Sequence, residues 1–184
     1  LRIEDTPLPG AKLITPAVFG DERGFFMETW NAERYSELGL DVRFLQTNLS
    51  RSAQGVLRGL HFQQPEPQGK LVWVLEGEVF DVAVDIRRGS PTFGQWHGVM
   101  LSADNRQQFY VPEGFAHGFC VTSPSALFAY ACTRVYRPQF DAGIAWNDPG
   151  IGVDWPINKP SLSAKDQQAP RLADLPAEAL PSYD

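Results

Sequence analysis

Only three histidines occur in the 184 residues, His61, His97 and His117, and each stands in a mostly apolar segment. Imidazole titrates near neutral pH, so a histidine held in such a setting is suited to moving a proton. A lone histidine in an apolar strand also has a plain structural reading, one or two hydrogen bonds and no chemistry. His61 lies in Leu57-Arg58-Gly59-Leu60-His61-Phe62-Gln63, with Arg58 three residues before it and Lys70 opening the next apolar run. Three polar groups in apolar strands need partners if they are buried, which favours a functional reading of His61 beside the structural one. His117 follows the turn Pro112-Glu113-Gly114 and reads either as a turn anchor or as a pocket residue. His97, between Trp96 and Gly98, has no polar company and reads as structural or surface.

Three further residues carry possible chemistry. Arg23, in Gly20-Asp21-Glu22-Arg23-Gly24-Phe25-Phe26, forms either a solvated salt bridge with its acidic neighbours or a fork for phosphate, with Gly24 allowing close backbone approach. Phe25 and Phe26 would then offer a face to a nucleobase, although aromatic residues in strands more often belong to a core. Tyr130 shares a strand face with Phe128 and Cys132, where it makes one structural hydrogen bond or, in a pocket, donates a proton. Asp166, in Leu162-Ser163-Ala164-Lys165-Asp166, is most simply part of a capping box that starts a helix, and alternatively orients a histidine.

The elements that must position these groups are mostly strands. Segments 56–62, 70–77, 78–86, 95–101, 107–111, 117–121 and 127–136 are rich in Val, Phe, Tyr and Trp and are separated by Gly and Pro. In 78–86, Phe80, Val82, Val84 and Ile86 share one face, while Val79, Asp81, Ala83 and Asp85 share the other. The second face suits the wall of a polar cavity. One helix is expected near 31–38, capped by Asn31 and ended by Gly39. Beyond about 137 the chain reads as an irregular, ordered wrap with short helical turns, because Trp146 and Trp155 call for burial. Regular short strands predict an all-β single domain over 1–184, a jelly roll with its barrel at about 40–137 and the two flanking segments packed on it.

Composition narrows the function classes. Apolar residues make up 43% and charged residues 21%, ordinary for a globular chain. No apolar run is long enough to span a membrane. The opening LRIEDTPLPG lacks the basic-then-apolar pattern of a secretory leader, so a cytoplasmic location is expected. Cys120 and Cys132 read as buried thiols, and a disulfide between them is the alternative. A net charge of −6 and a pI near 5.1 argue against a nucleic-acid surface, but not against a small anion held by a local group of arginines and lysines.

The spacing Pro112-x-Gly114-x-x-His117 resembles the second motif of the cupin superfamily. Many cupins bind metal through an HxH pair, and here His61-Phe62-Gln63 stands in that place, so a tight metal site lacks a nitrogen ligand. Taken together, GDERGFF (20–26), FLQTNLSRS (44–52), GVLRGLHFQ (55–63), the long segment 68–96, VPEGFAHGF (111–119), GIAWNDPGIGVDWP (143–156) and LSAKD (162–166) resemble the dTDP-4-dehydrorhamnose 3,5-epimerase family in order and spacing. The resemblance implies a cupin-type jelly roll, or double-stranded β-helix, with a few short helices. It implies a homodimer working without metal or organic cofactor on a dTDP-linked 4-keto-6-deoxy sugar, with the N-terminal segment contributing to the partner's site. It assigns the base to His61, the opposing acid to Tyr130, the partner of the base to Asp166, and a place near the keto oxygen to Lys70. Arg58, Asp81 and His117 match pocket positions. Arg23, Phe26, Glu28, Gln46 and Asn48 match positions at the nucleotide end. Ala131 follows Tyr130 where family members often carry a lysine, a position that strand alternation turns off the catalytic face.

The implied chemistry explains the residue types. Protons α to a C4 ketone leave as an enolate forms, and inversion needs a base on one face and an acid on the other. Histidine suits the base, an aspartate fixes its tautomer, and an ammonium steadies the growing negative charge on oxygen. Strict alternation, however, puts Arg58 and His61 on opposite faces; a bulge at Gly59 would bring them together. A single-centre 3- or 5-epimerase or a ketoisomerase of a related sugar would need much the same residues. A metal-free cupin that only binds a nucleotide sugar would not need the full set.

Overall fold

The computed structural model describes residues 1–183. Thirteen strands run β1 (Arg2–Asp5), β2 (Lys12–Thr15), β3 (Val18–Asp21), β4 (Gly24–Met27), β5 (Gln46–Ala53), β6 (Leu57–Gln63), β7 (Lys70–Glu76), β8 (Glu78–Asp85), β9 (Trp96–Ser102), β10 (Gln108–Val111), β11 (Phe115–Val121), β12 (Ser125–Cys132) and β13 (Asp141–Gly143). Helix α1 (Ala32–Glu37) starts at Asn31, whose side chain accepts from the Arg34 N–H, and Gly39 follows with φ +89°. Helix α2 (Ala164–Gln167) starts at Ser163, whose hydroxyl accepts from the Asp166 N–H. Among the described residues, no helix is long and apolar enough to cross a membrane.

Two antiparallel sheets form the body. The larger has the order β1-β2-β10-β7-β12-β5 and the smaller β13-β6-β11-β8-β9. This is the strand-dominated jelly roll expected from the spacing of apolar runs, in the double-stranded β-helix form that the family resemblance implies. The N-terminal segment does more than pack on a barrel of residues 40–137: β2 hydrogen-bonds along β10 and carries β1 at the sheet's edge. Likewise β13, in the C-terminal wrap, pairs with β6. The strand expected to reach residue 136 stops at Cys132, with Thr133 already turned to accept from the Gly69 N–H.

Alternation along β8 sorts the core. Val79 and Ala83 face the space between the sheets with Val72, Phe109, Phe119 and Phe128. Val82, Val84 and Ile86 face outward and are covered by the wrap through Ile144, Ile151, Trp155, Leu172 and Leu180. Trp155 donates its indole N–H to the Trp146 carbonyl at 2.8 Å, so the irregular segment is anchored by polar as well as apolar contacts. Tyr35 of α1 packs with Ile14, Leu40, Leu71 and Tyr110 on the outer face of the larger sheet. Cys120 and Cys132 are both free and buried. The hairpin β3–β4 stands apart as its own two-stranded sheet.

Candidate active site

The register between β6 and β11 shifts once. His117 pairs with His61 and Phe119 pairs with Arg58, so three steps on β6 oppose two on β11. That extra residue is the bulge required to bring Arg58 and His61 onto one face. Gly59 supplies it with φ +127°, and a Cβ there would come within 2.6 Å of Gly118 Cα and 2.8 Å of the His117 carbonyl. Only glycine fits that conformation and that close approach.

His61 Nε2 lies 2.6 Å from Asp166 Oδ1, across 105 residues of sequence. Asp166 is buried, yet its carboxyl is held below the usual range: burial pushes it up, and hydrogen bonds from His61, the nearby imidazole, Ser163 and the Gly59 N–H together outweigh that. An ionised Asp166 only accepts, so His61 carries its proton on Nε2 and keeps its basic lone pair on Nδ1. The two readings of Asp166 are therefore both realised: the backbone N–H receives the Ser163 cap while the carboxylate orients a histidine.

His117 repeats the arrangement. Its Nε2 donates to both oxygens of Asp81 at 3.0 Å, and Asp81 is fully buried, where a carboxylate must be hydrogen-bonded. Among the described residues no group of three or more His, Cys, Asp or Glu is gathered as a metal site; His61 and His117 each engage a carboxylate of their own. His97 takes no part, packing edge-on against Phe109 at 6.2 Å.

Two cavities share His61, Lys70 and Tyr130 in their walls. The first, of about 290 Å³, adds Gln46, Asn48, Cys132, Tyr136, Asp141 and Lys165. The second, of about 190 Å³, adds Ser50, Arg58, His117, Phe119 and Phe128. His61 comes from the smaller sheet, and Lys70 and Tyr130 from the larger one, so the groups face each other across the gap between sheets. Tyr130 and Cys132 line the wall while Ala131 does not, as alternation requires. Burial lowers the Lys70 ammonium from its ordinary value, partly opposed by Cys132, Asp141 and Asp81. Burial raises the Tyr130 phenol, helped by Cys132 and Asp141 and opposed by Arg58. The site thus holds a readily donating ammonium and a phenol that stays protonated.

Gln46, Asn48 and Arg58 join these walls. Gln46 accepts from the Tyr136 N–H and donates to Asn48, and Arg58 is steadied by the Ser52 hydroxyl at 3.0 Å. Arg23, Phe26 and Glu28 do not join them. Glu28 instead receives the Asn31 amide and pairs with Arg34 at the start of α1. Arg23 forms the local salt bridge with Asp21 on the exposed hairpin. Phe25 and Phe26 belong to no core, being 59% and 69% exposed.

Sequence reasoning missed Cys132, Tyr136, Asp141, Lys165 and Ser50 as wall residues. Ser50 and Cys132 were within reach of it, since they continue the alternation Gln46-Asn48-Ser50 and Tyr130-Cys132. Tyr136 and Asp141 lie in or next to irregular chain, where no period marks a face.

Comparison with known proteins agrees with this geometry. The family model for dTDP-4-dehydrorhamnose 3,5-epimerase matches residues 5–174. The dTDP-4-dehydrorhamnose 3,5-epimerase of Salmonella typhimurium is 55% identical over 170 residues, covering 91% of this chain and 93% of that protein. The protein of the same description from Methanothermobacter thermautotrophicus is 52% identical over 178 residues, covering 95% and 96%. The crystal structure of dTDP-6-deoxy-D-glucose-3,5-epimerase from Legionella pneumophila, in complex with dTDP-4-keto-L-rhamnose, superposes with a TM-score of 0.97 at 55% identity, covering 100% of this chain and 98% of that one. On its sequence, its fold and the residues gathered between its sheets, the chain belongs to the dTDP-4-dehydrorhamnose 3,5-epimerase family.

Proposed function

We propose that this chain inverts C3 and C5 of dTDP-4-dehydro-6-deoxy-D-glucose, giving dTDP-4-dehydro-L-rhamnose. The observation that carries the reading is the opposition of His61 and Tyr130, which come from different sheets and line the same two cavities. His61 Nδ1 takes the proton from a carbon α to the ketone, and the C–H electron pair becomes the enolate, with its charge on the C4 oxygen. Asp166 stabilises the imidazolium that results. Lys70 donates to the C4 oxygen, a contact stronger for the enolate than for the ketone, and therefore one that lowers the barrier. Tyr130 delivers its proton to the opposite face of the same carbon, leaving a tyrosinate that solvent reprotonates, while His61 returns its proton to solvent. The cycle is balanced by proton exchange alone.

The hairpin β3–β4 supports a homodimer in which the Arg23 and Phe26 of one copy serve the nucleotide end of the other's site. Both residues are on the exposed hairpin and lie outside the two cavities that His61 lines in their own chain. The Arg23–Asp21 pair is fully in solvent, where such pairs contribute little and exchange readily for a phosphate.

Incubation with the keto sugar in deuterated water tests the activity. Deuterium at both C3 and C5 is expected; label at one carbon only would make this a single-centre epimerase, and none would remove the enzyme reading. Mixing Arg23→Ala and His61→Asn proteins, assayed at a substrate concentration far below the raised KM of Arg23→Ala so that each alone turns over little, tests the shared site. Regained activity is expected from hybrid dimers, and a mixture as inactive as its parts would contradict it.

A further inference from the structure

We propose that Ser50 is a substrate-binding residue that holds the C2 hydroxyl of the hexose ring. The inference rests on the cavity being a keto-sugar site and goes beyond it by naming an anchor that the reaction leaves in place.

Along β5, alternate residues Gln46, Asn48, Ser50 and Ser52 turn inward, while Thr47, Leu49, Arg51 and Ala53 are exposed. Three of the four inward side chains have protein partners. Gln46 bonds to Asn48 and Tyr136, Asn48 also reaches Cys132 Sγ, and Ser52 holds Arg58. Ser50 Oγ is buried, and among the described residues no group hydrogen-bonds to it. A buried hydroxyl without a partner is uncommon and costs stability, so its retention calls for a ligand group.

Its surroundings say which group. Ser50 lies opposite Phe128 in the sheet, one inward step beyond Asn48, which lies opposite Tyr130. It lines the second cavity with Arg58, His61, Lys70, His117 and Tyr130, the groups that act on the ring. A 4-keto-6-deoxyhexose joined to a nucleotide through C1 carries hydroxyls only at C2 and C3. Inversion at C3 swings the C3 hydroxyl to the other side of the ring. The C2 centre is untouched, so a hydrogen bond there persists from substrate through both enolates to product. Ser50 can donate to that oxygen or accept from it. Such an anchor keeps the ring in place while protons are exchanged on either face.

Calorimetric binding of dTDP, dTDP-glucose and dTDP-2-deoxyglucose to the full-length protein and to Ser50→Ala is the test. The substitution is expected to weaken dTDP-glucose about tenfold, the effect of one lost hydrogen bond, while leaving dTDP-2-deoxyglucose and dTDP unchanged. Equal dTDP affinity shows that the variant is folded. Its thermal midpoint without ligand should be no lower than that of the parent, because no protein contact is removed. A Ser50→Ala protein that binds dTDP-glucose as the parent does, or that loses the 2-deoxy sugar equally, would overturn the proposal. These readouts need no turnover, so a parent protein that fails to exchange the keto sugar would refute the proposed activity while the Ser50 comparison still gives its own answer.

Discussion

On the proposed reading, the ring end and the nucleotide end of the site are built in opposite ways. At the ring end three polar groups are each held by another: His61 by Asp166, His117 by Asp81, Arg58 by Ser52. These partners are buried, and the bulge at Gly59 fixes the strand that carries His61 and Arg58. At the other end, Arg23 and Phe26 sit on a two-stranded hairpin in solvent, with Arg23 tied only to its neighbour Asp21. Proton transfer needs reacting atoms held within tenths of an ångström, and that demands a rigid, desolvated frame. Gripping a phosphate and a base tolerates movement, and it uses charge and an exposed aromatic face that a partner can complete. The contrast predicts that damage at the ring end is lost in the chemical step, whereas damage at the hairpin is lost in binding.

The largest effect should follow from His61→Asn, which is expected to lower solvent exchange at both carbons by about 10³–10⁴-fold or more while dTDP binds normally. A variant that lost dTDP to the same degree would erase the distinction between the ends. Next is Lys70→Met, for which a fall of about 10²–10³-fold in kcat is expected from removing one donor to the enolate oxygen. If its effect appeared only in KM, Lys70 would be a binding group and not a stabiliser of the transition state. Arg23→Ala should show the reverse pattern, a raised KM with kcat and thermal midpoint nearly unchanged; a kcat loss comparable to that of Lys70→Met would move the hairpin into the chemistry.

The smallest effect concerns acid stability. Asp166 is held below the ordinary carboxylate value, so the folded state binds its proton more weakly than the unfolded chain does. Its contribution is complete above the unfolded value of about 3.9 and fades as pH falls from there through the folded value. Denaturation curves below pH 4 should therefore be shallower for Asp166→Asn than for the parent, and parallel curves would show that the carboxylate is not stabilised by its partners.

The same contrast explains what could be read in the sequence. The positions of β6 to β12, the α1 cap at Asn31 and the inward face of β8 depend on local periodicity and were legible without coordinates, whereas the short strands β1 to β5 and β13 were not read. The bulge between Arg58 and His61 followed from the family resemblance, which put both residues in one pocket; the sequence itself offered only Gly59 as a residue that permits one. The pairing of His61 with Asp166 was not legible from local pattern: 105 residues separate them, and the Ser163-x-x-Asp166 spacing already had a sufficient explanation as a helix cap. The family resemblance supplied it. The exposure of Phe25 and Phe26 escaped propensity reasoning, since aromatic residues in strands are normally buried against a neighbouring layer, and the hairpin has none in this chain. Tyr136 and Asp141 joined the wall through chain geometry that no repeat announces.

The central claim is that a base from one sheet and an acid from the other work on opposite faces of one carbon. Tyr130→Phe separates their contributions most directly. With the acid removed, His61 should still take the proton and return solvent deuterium to the face it came from. The account predicts deuterium incorporation that continues while inversion is nearly abolished, read by mass and by proton coupling on the same sample. Inversion that keeps pace with incorporation in Tyr130→Phe, or loss of both together, would contradict it.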